Sequence, residues 1–171
     1  IPSLKVKDLK IVSVSGSVGV VSVYNKKLTQ SVIPDENLTV FRQYFDYTSG
    51  MAKNTFEQND IVKVVINWNI SKDAIDSGYE ITDYCPAGLK PIESPWQMGI
   101  KPDMQYWYYR NIEGQKGTLY VSKHYQERQP LVYYARVINP GVFKAEAPII
   151  QGTVSRDSLK LGDTSEITVN P

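Results

Sequence analysis

Cysteine and histidine are the scarcest reactive side chains in this sequence: there is one of each, Cys85 and His124. A single cysteine excludes a disulfide within the chain, and one cysteine with one histidine cannot assemble a Cys/His zinc site. Any Ser-His-Asp or Cys-His catalytic set would have to use His124. The composition therefore weighs against an enzyme, a metal protein and a disulfide-stabilised scaffold.

Excess charge and long apolar runs are also missing. The 171 residues contain 19 Lys and Arg against 18 Asp and Glu, a formal net charge of +1, whereas nucleic-acid binders usually carry a clear basic excess. No run of about 18 apolar residues suggests a transmembrane helix. The chain begins Ile-Pro-Ser, with neither an initiator Met nor a signal-peptide pattern. We therefore expect a fragment or a processed product of a longer protein.

What the sequence does contain is an apolar spacing of two. In the stretch 61–70, one face carries only apolar side chains and the other carries Lys63, Asn67 and Asn69. Period two with β-branched residues predicts a half-buried strand. The inward residues are predicted to be Val62, Val64, Ile66, Trp68 and Ile70.

The same pattern, interrupted by Pro and Gly turns, recurs along the chain and predicts a series of strands without helical crossovers. The fold class is therefore all-β, an antiparallel β-sandwich, in which 71–77 is a loop with a candidate short helical turn. Besides 61–70, the predicted strands are 4–14, 18–24, 38–47, 79–84, 104–111, 118–124, 131–138, 142–153 and 164–169.

A domain boundary is predicted near Ser31–Glu36. Residues 36–171 would form the sandwich. Residues 1–35 are either strands that enter this domain or the end of a preceding one, because an isolated hairpin is marginal in water.

The candidate reactive side chains favour structural roles. His124 lies in a polar stretch between strands and has no partner in sequence, so we expect an exposed turn residue. Cys85 stands at a strand end before Pro86, which favours a small buried hydrophobe over a nucleophile. The Asp73-x-x-Asp76 spacing lacks the dense oxygen ligands of a calcium loop. We predict no catalytic residue, no metal and no cofactor.

Aromatic side chains are concentrated at Tyr106, Trp107, Tyr108 and Tyr109. Rings on an exposed sheet face could stack on sugars, which makes these four the candidate ligand-facing residues. Alternation places Tyr106 and Tyr108 on one face and Trp107 and Tyr109 on the other, and one of those faces must belong to the core.

Four segments together resemble the C-terminal domain of alpha-2-macroglobulin-like proteins. The strand and turn 79–92 contain Asp83, Pro86 and Gly88 in a Pro-Ala-Gly-Leu turn. The strand and turn 131–143 contain Arg136, Pro140 and Gly141. The segment 37–45 is similar to the first strand of that domain, and 59–64 is similar to its Gly-Asp-x-Val-x-Val strand.

The resemblance implies an immunoglobulin-like, macroglobulin-type β-sandwich, called the receptor-binding domain in vertebrate members. Whole proteins of this family trap or inhibit proteases, many through a Cys-Gly-Glu-Gln thioester, whereas Cys85 is followed by Pro-Ala-Gly. It implies a non-catalytic domain of a secreted, surface or periplasmic bacterial endopeptidase inhibitor. Its partners would be the other domains of the parent and the trapped proteases, with membrane contact only through an anchor in the parent. The alternative is a stand-alone immunoglobulin-like adhesion or glycan-binding module.

Overall fold

A computed structural model describes residues 33–103, 106, 110–126 and 129–171. Residues 33–171 form one compact unit. The strands predicted over 4–14 and 18–24, and most of the strand predicted over 104–111, lie outside the described residues.

The described chain folds into β-strands in three small sheets. The four-stranded sheet has the order β1-β3-β8-β5, the five-stranded sheet β11-β10-β4-β7-β6, and the three-stranded sheet β2-β12-β9. The strands are β1 (Leu38–Asp46), β2 (Thr55–Glu57), β3 (Ile61–Ile70), β4 (Gly78–Tyr84), β5 (Leu89–Pro91), β6 (Arg110–Glu113), β7 (Lys116–Ser122), β8 (Leu131–Val137), β9 (Gly141–Ala145), β10 (Ile149–Gly152), β11 (Leu159–Leu161) and β12 (Ser165–Asn170).

The main core lies against the inward face predicted for β3. Its five apolar side chains are at most 4% exposed. They belong to the same buried cluster as Tyr79 and Ile81 of β4 in the five-stranded sheet. The all-β sandwich and the orientation of its longest strand are thereby confirmed.

A second, smaller core covers the outer face of the four-stranded sheet. Val65 of β3 and Val132 and Tyr134 of β8 pack there with Ile92, Ile100 and Tyr106. The segment after β5 therefore covers a face that the period-two pattern treats as solvated.

Three details differ from the sequence prediction. Residues 71–77 form turns and bends, whereas a 3-10 helix spans Pro95–Met98, begins with Pro and ends at Gly99 with φ 70°. The strand expected over 142–153 is divided at Pro148 into β9 and β10, which belong to different sheets. β12 pairs with β2 in parallel, although the other paired strands are antiparallel.

In the described ranges no helix has the length and hydropathy needed to cross a membrane.

Candidate functional site

A buried arginine is the centre of the most unusual cluster in the domain. Arg42 lies on β1 between the inward residues Val40 and Tyr44, and its side chain is only 1% exposed. Its Nη1 forms an ion pair with Asp83 of β4, and its Nη2 donates to the Glu146 carbonyl at 2.8 Å. One guanidinium therefore connects β1 to β4 and to the segment between β9 and β10.

Asp83 completes a hydrogen-bonded network across the core. The Tyr133 hydroxyl donates to Asp83 Oδ2 at 2.6 Å. Burial raises the pKa of Asp83, while the Arg42 charge and the Tyr133 hydroxyl oppose that rise. With side-chain exposures of 1% and 0%, the pair is buried and connects the four-stranded sheet to the five-stranded sheet.

The sequence contains a signal for this network. Tyr79 and Ile81 point inward as expected, and the same alternation continues to Asp83, which is 1% exposed. A carboxylate at an inward strand position requires a buried partner. Alternation likewise places Arg42 inward, but it cannot show that the two residues meet across the sandwich.

Cys85 lies beside this network and is 4% exposed. Burial, followed in importance by the charge of Asp83, raises the pKa of the Cys85 thiol to about 12. A thiol that stays protonated at neutral pH is a poor nucleophile and a poor metal ligand. This agrees with the expected role as a small buried hydrophobe.

The two turns that carry the family resemblance pack against each other. A Cβ added to Gly88 would lie 2.4 Å from Phe143 Cε2, and one added to Gly141 would lie 3.2 Å from Phe143 Cζ. Gly141 has φ 141°, in the region that favours glycine. The Gly88 carbonyl also accepts the Ile138 amide at 2.9 Å. The Phe143 ring therefore leaves no room for a side chain at Gly88, whereas Gly141 is favoured by its positive φ together with a tight contact to the same ring.

Arg136, Pro86 and Pro140 lie near these turns. Arg136 is exposed, and its Nη2 donates to Asn59 Oδ1 at 2.7 Å. Asn59 has φ 77°, a left-handed conformation that Gly and Asn adopt more readily than other residues. The Pro86 carbonyl accepts the Leu89 amide at 2.8 Å, which closes the Pro-Ala-Gly-Leu turn. Pro140 is exposed in the turn before β9.

His124 is exposed, as expected, and its partner is a loop carboxylate. Its Nε2 lies 2.9 Å from Asp76 Oδ1, with side-chain exposures of 63% and 69%. The nearby Ser122 hydroxyl accepts the backbone amide of His124 rather than meeting the imidazole. These contacts join two loops and do not form a nucleophile–base pair.

Tyr106 was named as a candidate ligand-facing aromatic, and the structure corrects this prediction because the side chain is buried. It is 3% exposed, packs edge-on against Trp96 and belongs to the smaller core. The reason is that its backbone forms an isolated bridge with Val132, which brings the ring against the outer face of the four-stranded sheet. Trp107, Tyr108 and Tyr109 lie outside the described residues.

The part of the chain that the structure describes contains no group of three or more His, Cys, Asp or Glu side chains placed to hold a metal ion. The buried side chains of Arg42, Asp83 and Tyr133 instead bind one another.

Comparison with known proteins gives matches to solved structures alone. No family model and no curated protein matches the chain. Native alpha-2-macroglobulin from Escherichia coli, in a structure from domain MG7 to the C-terminus, matches 84% of this chain and 25% of its own, with TM-score 0.64 and 18% identity. Escherichia coli alpha-2-macroglobulin activated by porcine elastase gives TM-score 0.62 and 21% identity over 83% of this chain and 14% of that one.

A Salmonella alpha-2-macroglobulin mutant, Y1175G, matches 80% of this chain and 9% of its own, with TM-score 0.58 and 20% identity. This chain thus spans a quarter or less of each of these three structures. At these identities the matches establish the fold: the chain has a macroglobulin-type β-sandwich domain.

Proposed function

We propose that this chain is a non-catalytic domain of a larger alpha-2-macroglobulin-like protease-trap protein, outside the cytoplasm, and that it acts by packing and protein–protein interaction. The proposal rests on the fold match, which covers more than four fifths of this chain. The matched region makes up a quarter or less of each alpha-2-macroglobulin structure. A domain that forms a small part of a large assembly works mainly through the surfaces it offers to neighbouring domains.

The chemistry of the described residues supports a packing role. The buried thiol of Cys85 is held protonated, and the imidazole of His124 contacts an exposed loop carboxylate. The most elaborate polar cluster, around Arg42, Asp83 and Tyr133, is buried and internally bonded. Such a cluster specifies the arrangement of the sheets and leaves the outer surfaces for contacts with other domains.

The test is association in trans. The 171-residue chain and the remainder of the polypeptide encoded by the same gene would be expressed as two separate proteins. We expect them to co-migrate in size-exclusion chromatography at micromolar concentration, and we expect the chain alone to leave trypsin activity unchanged. A gene that encodes no further domains would contradict the proposal, and so would two proteins that elute separately.

A further inference from the structure

An open strip lies on the outer face of the four-stranded sheet. On this face the β8 side chains Val132 and Tyr134 belong to the smaller core and are at most 2% exposed. The pairing of β3 with β8 ends at Ile66, whereas its pairing with β1 continues to Ile70. The outward side chains beyond the covered part are exposed or half-buried, and we call them the β1–β3 strip: Thr39, Phe41, Gln43, Asn67 and Asn69.

The β1–β3 strip is uncharged, although charged side chains are common on solvated surfaces. It combines three carboxamides and one hydroxyl with the phenyl ring of Phe41, which is 43% exposed. Phe41 is directly opposite Asn67 in the register of the two strands, and Gln43 and Asn69 are the next outward residues along them. Residues so related are close enough for their side chains to interact. One exposed ring therefore lies beside several neutral hydrogen-bonding groups.

The charged residues at the covered end of this face are paired with each other. Lys63 Nζ lies 2.6 Å from Asp103 Oδ2 and 5.7 Å from the centre of the Phe45 ring. A groove of about 350 Å³ joins this ion pair to the strip, and its walls include Gln43 and Asn67. Ligand sites usually have volumes of about 300–1,000 Å³. The groove thus extends the strip toward a charge pair that adds no net charge.

The carboxamides of the strip are held in place and keep free hydrogen-bonding capacity. Asn67 Nδ2 donates to Gln43 Oε1 at 3.0 Å, a contact that joins the two side chains across the strands. Because a carboxamide has two donor hydrogens and an oxygen with two lone pairs, the Gln43 amino group and the Asn67 oxygen stay available. A hydroxyl group both donates and accepts, so it can bond to either of them.

The dimensions of this face favour a narrow, extended ligand. From position 63 to position 69 it is about 20 Å long, and it is two strands wide with the strands about 4.8 Å apart. A standard protein–protein interface buries about 800 Å² on each partner, several times more than a strip of this size offers. A single neutral chain lying along the strands fits both the length and the charge of the face.

We propose that the β1–β3 strip and its groove bind a neutral, extended oligosaccharide of β-1,4-linked pyranoses. Such chains are flat ribbons with C–H groups on the faces of the rings and hydroxyls along the edges. One sugar ring stacks on Phe41, which has an apolar face to offer, and its hydroxyls bond to Gln43 and Asn67. This binding is additional to the packing role of the domain and does not depend on it.

The proposal is tested by NMR titration of the full ¹⁵N-labelled chain with three neutral tetrasaccharides at millimolar concentration: cellotetraose, chitotetraose and β-1,4-mannotetraose. We expect at least one of them to shift the amides of Phe41, Gln43 and Asn67 saturably. The anionic probe β-1,4-tetramannuronate should bind at least about fivefold more weakly than the best neutral tetramer, because its carboxylates lose hydration without meeting an unpaired cation.

Variants of the strip locate the contact. Phe41→Ala should weaken binding about tenfold through loss of the stacked ring, and Gln43→Ala about fivefold through loss of a hydrogen bond. Tyr120→Ala is the matched control, because it removes a ring that is 51% exposed on the five-stranded sheet, and it should bind like the wild type. Thermal unfolding of each variant verifies that it is folded.

Three results would each overturn the proposal. The first is the absence of saturable shifts at the strip with all three neutral tetramers. The second is tetramannuronate binding as tightly as the best of them. The third is an unchanged affinity in folded Phe41→Ala, or a loss in Tyr120→Ala as large as that in Phe41→Ala.

Discussion

At the residue scale, burial in the core makes the cysteine thiol and a tyrosine hydroxyl of this domain unreactive. Cys85 and Tyr133 lie beside the Arg42–Asp83 ion pair, and each is at most 5% exposed. Burial raises the pKa of both hydroxyl and thiol groups because their charged forms lose hydration. The lone cysteine is consequently part of the packing.

The prediction for Cys85 concerns its reaction with a thiol reagent. With a pKa near 12, almost none of the thiol is ionised at pH 8, and burial also blocks access. The native chain should show essentially no reaction with Ellman's reagent over minutes, and one equivalent should react immediately in guanidinium chloride. Rapid labelling of the native chain would show that this thiol is exposed or activated.

Because Arg42 and Asp83 form a buried ion pair, we expect the effect of replacing one of them on the free energy of unfolding to depend strongly on whether the other is present. Arg42→Met or Asp83→Leu alone leaves an uncompensated buried charge and should lower the free energy of unfolding by about 3–5 kcal/mol. The double variant should be much less destabilised than the sum of the two. Chemical denaturation of all four proteins gives the coupling energy, and additive effects would mean that the pair does not form.

At the element scale, the two glycine turns are held by one ring. Gly88 follows β4 and Gly141 begins β9, and Phe143 packs against both positions. Both turns belong to the segments whose sequence resembles alpha-2-macroglobulin-like proteins. The ring excludes a side chain at Gly88, and the positive φ of Gly141 favours glycine there.

Gly88→Ala tests this packing. The added methyl would lie 2.4 Å from the Phe143 ring, so the turn or the ring must move, and we expect a loss of about 1–3 kcal/mol of stability. Gly117→Ala is the matched control, because its Cβ would meet its nearest neighbour at an ordinary 3.7 Å, and its effect should stay within about 0.5 kcal/mol. Thermal unfolding of both variants distinguishes the cases, and equal effects would contradict the packing argument.

The turn after β1 is expected to contribute to the loss of folding stability at acid pH. The Ser49 hydroxyl and amide each donate to Asp46 Oδ1 at 2.7 Å, and they lower the pKa of Asp46. An aspartate with a lowered folded-state pKa stabilises the fold above its unfolded value, near pH 4, and this stabilisation is lost as the pH falls through the folded value.

Asp46→Asn should therefore flatten the decline of stability between about pH 5 and pH 2, and Ser49→Ala should flatten it partially. Urea unfolding at a series of pH values measures both. If the two variants followed the wild-type slope, the turn would have no share in the acid response.

How far the sequence predicts these elements depends on periodicity. The inward face of β3 could be predicted, because five apolar residues recur at spacing two. β2, β5 and β11 have three residues each and carry no readable period. The ion pair could not be predicted either, because Arg42 and Asp83 are 41 positions apart and meet across the sandwich. Tyr106 was misplaced because both faces of the four-stranded sheet are buried there.

At the scale of the whole molecule, the chain has a macroglobulin-type sandwich, and the solved structures it matches are several times longer than the matched region. The proposed function is that this domain contributes surfaces and rigidity to a larger assembly. On that proposal, we expect its loss to impair what the assembly does, and we expect the isolated domain to leave a protease unaffected.

The most direct measurement is a protease-protection assay on the full-length protein with and without residues 36–171. After reaction with trypsin, the intact protein should block cleavage of a large substrate such as casein and still permit cleavage of a small peptide substrate. We predict that deletion abolishes this size-dependent protection, with Asp76→Asn, an exposed loop change, as the control that preserves it. Undiminished protection without the domain, or no protection by the intact protein, would contradict the account.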